Sequence, residues 1–447
     1  MIKEIIQFYT ASSGKIVLRN TEFVREIYNK SRWSVFLSAT IGYSLFYVCR
    51  LSLNVVKKPM VDAGLLDESQ LGMIGSALFF TYAIGKLTNG FLADRSNIKR
   101  FMATGLFLTA LVNLALGFTS LFWVFTILWG LNGWFQSMGA APSVVSLSRW
   151  FSNRERGTYY GIWSASHSIG KAITYVGIAF IVSIFGWQWG FYGAGIAGLA
   201  GAVIVSIFLH DSPASKGLPP IADYKNDHAE VSAKDKSVGA VQKEVLKNPF
   251  IWILAISSAM MYISRYAIES WGIFYLEVQK GYTNMEASSI ISVSAISGII
   301  GTVVAGIISD KVFKSSRNIP ALIAGLLNIF SMTLFLFYPD GNIWMDTFSM
   351  VISGFAFGIL ITFLGGLMAI DIASKKASGA ALGLVGIASY IGAGLQDVAS
   401  GFLIENGKST IETFSTYDFT IAKWFWLGAA IISVVLALMV WNAKPKD

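Results

Sequence analysis

Two arginines carry the clearest chemistry in this chain. Arg50 lies in "SLFYVCRLSLN" (44–54) and Arg265 in "SRYAIESWG" (264–272), each inside a stretch otherwise fit for hydrocarbon. A lone arginine at the middle of a bilayer costs on the order of 3 kcal/mol on insertion scales, unless it reaches water, a counter-charge or a ligand. Two planar guanidinium groups can offer paired N–H donors to a tetrahedral oxyanion, a shape a lysine ammonium does not reproduce. The plainer alternative is that each arginine snorkels or pairs with an acid of its own bundle.

Other ionisable residues sit at similar depth. His167, in "SASHSIG", titrates near 6.5 when unperturbed and could donate to an oxyanion or simply pack. Lys171, four residues on, shares its helical face. Lys86 lies eight residues before Asp94, too deep for a loop charge; it could attract an anion or form an inter-helix ion pair. Tyr43, Tyr47, Tyr262 and Tyr266 lie near the arginines and offer O–H donors, ring faces or membrane packing. Glu269 follows Arg265 by four residues, so the two can pair on one helix. Asp397 is a second intramembrane acid with no partner evident from the sequence, and either acid could carry a proton.

These residues need membrane helices to position them. The chain of 447 residues is 54% hydrophobic and 13% charged, against roughly 25% charged in soluble domains, and its mean hydropathy is +0.59. Apolar tracts near 35–55, 69–91, 100–121, 123–146, 160–184, 189–209, 250–275, 287–308, 318–338, 345–370, 378–403 and 420–441 predict twelve spans. An all-α membrane protein follows, because the tracts lack the alternation of a β-barrel.

Basic residues orient it. Twenty-five Lys and Arg fall in the termini and in loops on the same side, against four, Lys57, Lys58, Lys280 and Lys408, on the other. Both termini are therefore expected in the cytoplasm. The net charge of +8 is dispersed among short loops, which argues against a nucleic-acid partner. The single cysteine, Cys49, allows no internal disulfide. With no G-x-x-x-x-G-K-[ST] loop, H-E-x-x-H helix or Cys/His cluster, no catalytic residue, metal or other cofactor is expected.

The halves echo each other. "GFLADR" (90–95) matches "GIISDK" (306–311), and Asp94 to Asp310 is nearly the same offset as Arg50 to Arg265. The repeat predicts a cytoplasmic gate built on Gly90, Asp94 and Arg95 in one half and Gly306, Asp310 and Lys311 in the other. The expected organisation is a cytoplasmic lead (1–34), a six-helix bundle (35–209), a polar cytoplasmic linker (210–249), a second six-helix bundle (250–441) and a cytoplasmic tail (442–447).

"GYSLFYVCR", "GKLTNGFLADRSN", "GWFQSMGAAPSV", "WFSNRERG", "IWSASHSIG", "DSPASKGLPPI", "SRYAIESWG" and "KKASGAALGLVG" together resemble the major facilitator superfamily. More narrowly they resemble its organophosphate:inorganic phosphate antiporters, which include hexose-6-phosphate and glycerol-3-phosphate carriers and a related membrane sensor. The resemblance implies the major facilitator fold, with two pseudo-symmetric six-helix bundles around a central cavity in a bacterial inner membrane. It implies phosphate binding by Arg50, Arg265, His167 and Lys86. The implied function is exchange of an organophosphate, hexose 6-phosphate foremost, for inorganic phosphate, by a protein working as a monomer. Two departures leave glycerol 3-phosphate, a sensing role or another organic anion open. Ser270 stands where the glycerol-phosphate branch has an aspartate, and Gln396 and Asp397 lack the neighbouring lysine of the hexose-phosphate branch. Both positions are therefore candidate selectors.

Overall fold

The computed structural model describes residues 2–10, 21–227, 243, 245–313, 317–339, 341–373, 378–411 and 414–443. Among them, twelve long helices follow in order: α1 (Thr21–Asp62), α2 (Glu68–Arg95), α3 (Ile98–Leu116), α4 (Phe122–Trp150), α5 (Arg154–Phe185), α6 (Gln188–Phe208), α7 (Pro249–Gln279), α8 (Asn284–Ile307), α9 (Asn318–Phe337), α10 (Ile343–Ile372), α11 (Ser378–Asn406) and α12 (Thr420–Met439). Eleven are long and apolar enough to cross a membrane. The exception, α4, has 29 residues but carries Asn132 and Gln136 in its middle. Their amides donate to the Cys49 and Phe46 carbonyls of α1, at 3.1 and 2.9 Å, so both are buried without an unmet donor.

Helices α1–α6 and α7–α12 form two halves built alike. In the first half α2 meets α4 at Gly133, where an added Cβ would fall 2.3 Å from the Leu78 carbonyl oxygen. In the second, α8 meets α10 at Gly358, with the same clearance to the Gly298 carbonyl. Close backbone approach at small residues is the usual basis of membrane-helix packing. The start of α1 and the end of α12 lie on one face, the termini face. On the opposite face, capping boxes at Asp67/Gln70 and Thr283/Glu286 fix where α2 and α8 begin.

Several expectations are corrected. The first helix runs well past the expected span, and its last turns hold Lys57, which is buried and ion-paired instead of lying in a loop. Lys280 is likewise buried, 2.6 Å from Asp346. The α11–α12 connection contains two antiparallel strands, β1 (Lys408–Ile411) against β2 (Phe414–Tyr417), where no strand is expected. The polar stretch after α6 is only partly a connector, because its first part docks on the N-terminal half. There Asp211 accepts from the Ile98 amide and the Arg149 guanidinium at 2.8 and 2.6 Å, and Tyr224 stacks on Tyr28 at 4.2 Å. Much of the expected linker beyond Asp227 lies outside the described residues.

Candidate functional site

Arg50 and Arg265 come from the equivalent helices α1 and α7, and both are buried where the halves meet. The Arg50 guanidinium carbon lies 4.3 Å from the ring centre of Tyr82, 5.5 Å from those of Tyr47 and Tyr390, and 5.8 Å from that of Phe79. Its Nε and Nη2 meet no acceptor. Ring faces offset part of the cost of the charge, but the two N–H-bearing atoms still lack partners.

Arg265 is held differently. Its Nε donates to Glu269 Oε1 at 3.0 Å, the pairing its spacing predicts. Its guanidinium carbon lies 5.3 Å from the Tyr266 ring and 5.6 Å from the Tyr262 ring. Glu269 Oε1 also accepts from Lys171 Nζ of the other half, at 2.9 Å, and Lys171 donates to Ser294 Oγ at 3.0 Å. The Glu269 backbone carbonyl accepts from Asn54 and Tyr175. One carboxylate thus ties a cation of each half together at the middle of the bundle.

A run of rings links the two arginine sites: Phe79 to Tyr266 at 4.6 Å, Tyr266 to Tyr262 at 5.8 Å, Tyr262 to Tyr390 at 5.6 Å and Tyr390 to Tyr82 at 4.7 Å. Tyr43 stacks on Trp163 at 4.9 Å nearer the termini face. Sequence reasoning missed Phe79, Tyr82, Trp163 and Tyr390, though part of the signal was there. "YVCR" (47–50) repeats as "YISR" (262–265), and "ASH" (165–167) as "ASY" (388–390), which makes Tyr390 the counterpart of His167.

Local breaks in α5 aim its polar residues. The helix is interrupted at Ala165 and widens to a π turn at Thr174–Ile178, a distortion frequent at functional sites. His167 sits between these breaks with its ring 5.7 Å from Tyr47. Its Nδ1 faces the Ser164 carbonyl, so Nδ1 carries the hydrogen and the lone pair of the neutral ring is on Nε2. Lys86 is exposed, with Nζ 5.4 Å from the Tyr390 ring.

The remaining candidates separate. Ser270, Asn54, Gly75 and Asp397 share a small pocket with Arg50. Asp397, which lacked a partner in the sequence, accepts from Lys57 Nζ at 3.3 Å and from Trp271 Nε1 at 2.6 Å. Gln396 instead points toward α12, donating to Ser400 Oγ, which also accepts from Trp426. That orientation removes Gln396 from the arginine cluster.

At the expected gate, Asp94 and Arg95 are exposed, and a Cβ added at Gly90 or Gly306 would meet no atom within 4 Å. The side chains of Asp310 and Lys311 lie outside the described residues. On the opposite face the halves are joined by Lys57–Asp397, by Lys408–Glu68 at 3.0 Å and by Ser69 N to Glu405 at 3.1 Å. These ties close the halves together on the face opposite the termini.

Residues 36–396 match the Major Facilitator Superfamily family model. The chain is 35% identical to the "Probable hexose phosphate transport protein" of Chlamydia pneumoniae, over 96% of this chain and 95% of that one. It is 32% identical to "Membrane sensor protein UhpC" of Escherichia coli (strain K12) and 31% identical to the "Glycerol-3-phosphate transporter" of Bacillus subtilis (strain 168), in both cases over 94% of each chain. Among solved structures, a bacterial homolog of the human lysosomal transporter Spinster in an inward-facing, unoccupied conformation superposes with a TM-score of 0.71. That match has 17% identity and covers 92% of this chain and 97% of the other, and it shows a shared fold.

Proposed function

We propose that this chain, which belongs to the Major Facilitator Superfamily and within it to the organophosphate:inorganic phosphate antiporters, exchanges hexose 6-phosphate for inorganic phosphate by alternating access. The reading places it in a bacterial inner membrane as a monomer with both termini in the cytoplasm, so the termini face is cytoplasmic and the conformation is open inward. The carrying observation is that Arg50 keeps buried N–H groups without acceptors and that a run of rings connects it to Arg265.

The geometry suggests how binding is tied to movement. A phosphate dianion entering from the termini face fills the open donors of Arg50 and competes with Glu269 for Arg265. His167 Nε2 accepts a proton from a monoanionic phosphate, or donates once the ring is charged. As Arg265 turns to phosphate, Glu269 is left with Lys171 alone, so the anion held between Arg50 and Arg265 and the Glu269–Lys171 pair both bridge the halves. The empty carrier lacks the phosphate bridge, so it crosses slowly and exchange is favoured over leak. A 100-fold difference in crossing rate needs about 2.7 kcal/mol of barrier.

The aromatic run favours a hexose over glycerol as the organic part, since a sugar ring presents C–H faces for stacking that a three-carbon chain lacks. Ser270 and Asp397 line the adjoining pocket and are the proposed selectors, whereas the cytoplasmic gate around Asp94 sets turnover. The test is efflux of labelled phosphate from proteoliposomes against external glucose 6-phosphate, glycerol 3-phosphate and a simple carboxylate. Glucose 6-phosphate should drive the fastest exchange. Binding without exchange would support the sensor reading, which similarity to a sensor protein also favours, and exchange driven equally by the carboxylate would contradict a phosphate carrier.

A further inference from the structure

On the closed face, away from the arginines, two residues joined by one hydrogen bond each keep a buried acceptor without a donor. Glu277, near the end of α7, accepts at Oε1 from Asn284 Nδ2 at 3.0 Å, and Asn284 is the first residue of α8. The same Nδ2 donates its other hydrogen to the Val55 carbonyl of α1 at 2.9 Å, crossing between the halves. Glu277 Oε2 and Asn284 Oδ1 are both buried and both without a hydrogen-bond partner. Flipping the Asn284 amide would not help, because it would set oxygen against the Val55 and Glu277 oxygens. Each acceptor left bare keeps a desolvation cost that no hydrogen bond offsets.

One proton removes both penalties. A carboxylic acid at Glu277 donates from Oε2 to Asn284 Oδ1 while Oε1 still accepts from Nδ2, which closes a cyclic acid–amide pair. We infer that Glu277 is a proton-binding site: the proton stitches α7 to α8, holds the Asn284 amide on α1, and so locks the closed face. When that face opens, water reaches the carboxyl and the proton can leave to the compartment on that side.

The charged groups around the site leave this role to Glu277. From α1, Lys58 and Asp62 pair with each other at 2.6 Å. From α8, Glu286 is engaged in its own capping box with Thr283. On α7 itself, Lys280 is turned to Asp346 of α10. The lock is present at low pH on that face and is lost as pH rises through the site's own titration, with a linkage of up to about tenfold per pH unit for one proton.

The test needs no phosphate ester, so its failure is separate from failure of the carrier reading. Spin labels at Ala63→Cys and Ser409→Cys, in a Cys49→Ser background, report separation of the closed face by electron–electron distance measurement across a pH titration. In the parent the open population should rise with pH. Glu277→Gln keeps a cyclic amide pair and should stay closed at every pH, whereas Glu277→Ala cannot pair and should be open-shifted at every pH. A parent-like pH profile in either variant, or an open shift in Glu277→Gln, would overturn the assignment.

Discussion

Lys57 and Asp397, one from each half, form an ion pair of 3.3 Å with side chains 0% and 1% exposed. Lys57 Nζ also lies 3.6 Å from the Trp271 ring centre, while the Trp271 N–H bonds the same carboxylate. A pair so fully desolvated depends on both members being present. Removing one should cost about 3–5 kcal/mol. Lys57→Ala and Asp397→Ala should each lower the melting temperature in detergent, and the double variant should recover part of the loss. Additive losses would show that the two do not act as a pair.

Asp397 fits only because α2 has glycine opposite it. A Cβ at Gly75 would lie 1.8 Å from Asp397 Oδ2, so Gly75→Ala should prevent this closed face from forming while the halves still fold. Exchange should fall by about tenfold or more, equivalent to at least 1.4 kcal/mol of barrier. Wild-type exchange in this variant would mean that the contact does not govern closure.

How far the sequence exposed this site follows from its physics. Arg50, Arg265 and the Glu269 pairing were legible, because intramembrane charge is costly and i,i+4 spacing is local. Lys57 was not: seven residues of extra helix at the end of α1 carry it from a presumed loop into the bundle, where its partner is 340 positions away. Tyr82 and Tyr390 were equally hidden, since a tyrosine facing lipid and one facing an arginine read the same until the helices are packed.

Glu269 pairs with both Arg265 and Lys171, so in the proposed cycle it would compete with substrate for them. Glu269→Gln leaves both cations less compensated, so phosphate should bind more tightly while maximal exchange drops about tenfold, with KM and rate falling together. Initial-rate measurements over a phosphate series check this. A raised KM would indicate that Glu269 only holds Arg265 in place.

His210 stands outside the membrane helices at the start of the docked stretch, where burial, with Lys216 and Lys99 nearby, pushes it down to about 4. Its backbone carbonyl accepts from Trp150 Nε1 at 3.1 Å. A histidine kept neutral in the fold contributes stability above about pH 6.5, and that contribution is lost as pH falls toward about 4. Hydrogen-exchange protection factors across residues 209–227, corrected for the intrinsic rate at each pH, should therefore fall between pH 7 and 4.5, and His210→Gln should flatten the change. An unchanged profile in the variant would place the acid sensitivity elsewhere.

The central claim is that one guanidinium from each half grips phosphate in two-pronged fashion, and phosphate–phosphate exchange in proteoliposomes tests it most directly because no organic group intervenes. Arg50→Lys and Arg265→Lys keep the charge but lose the fork. Each should insert normally yet lose at least about 100-fold in exchange, or about 2.7 kcal/mol. Exchange retained within a few-fold by either variant would contradict the claim for that arginine.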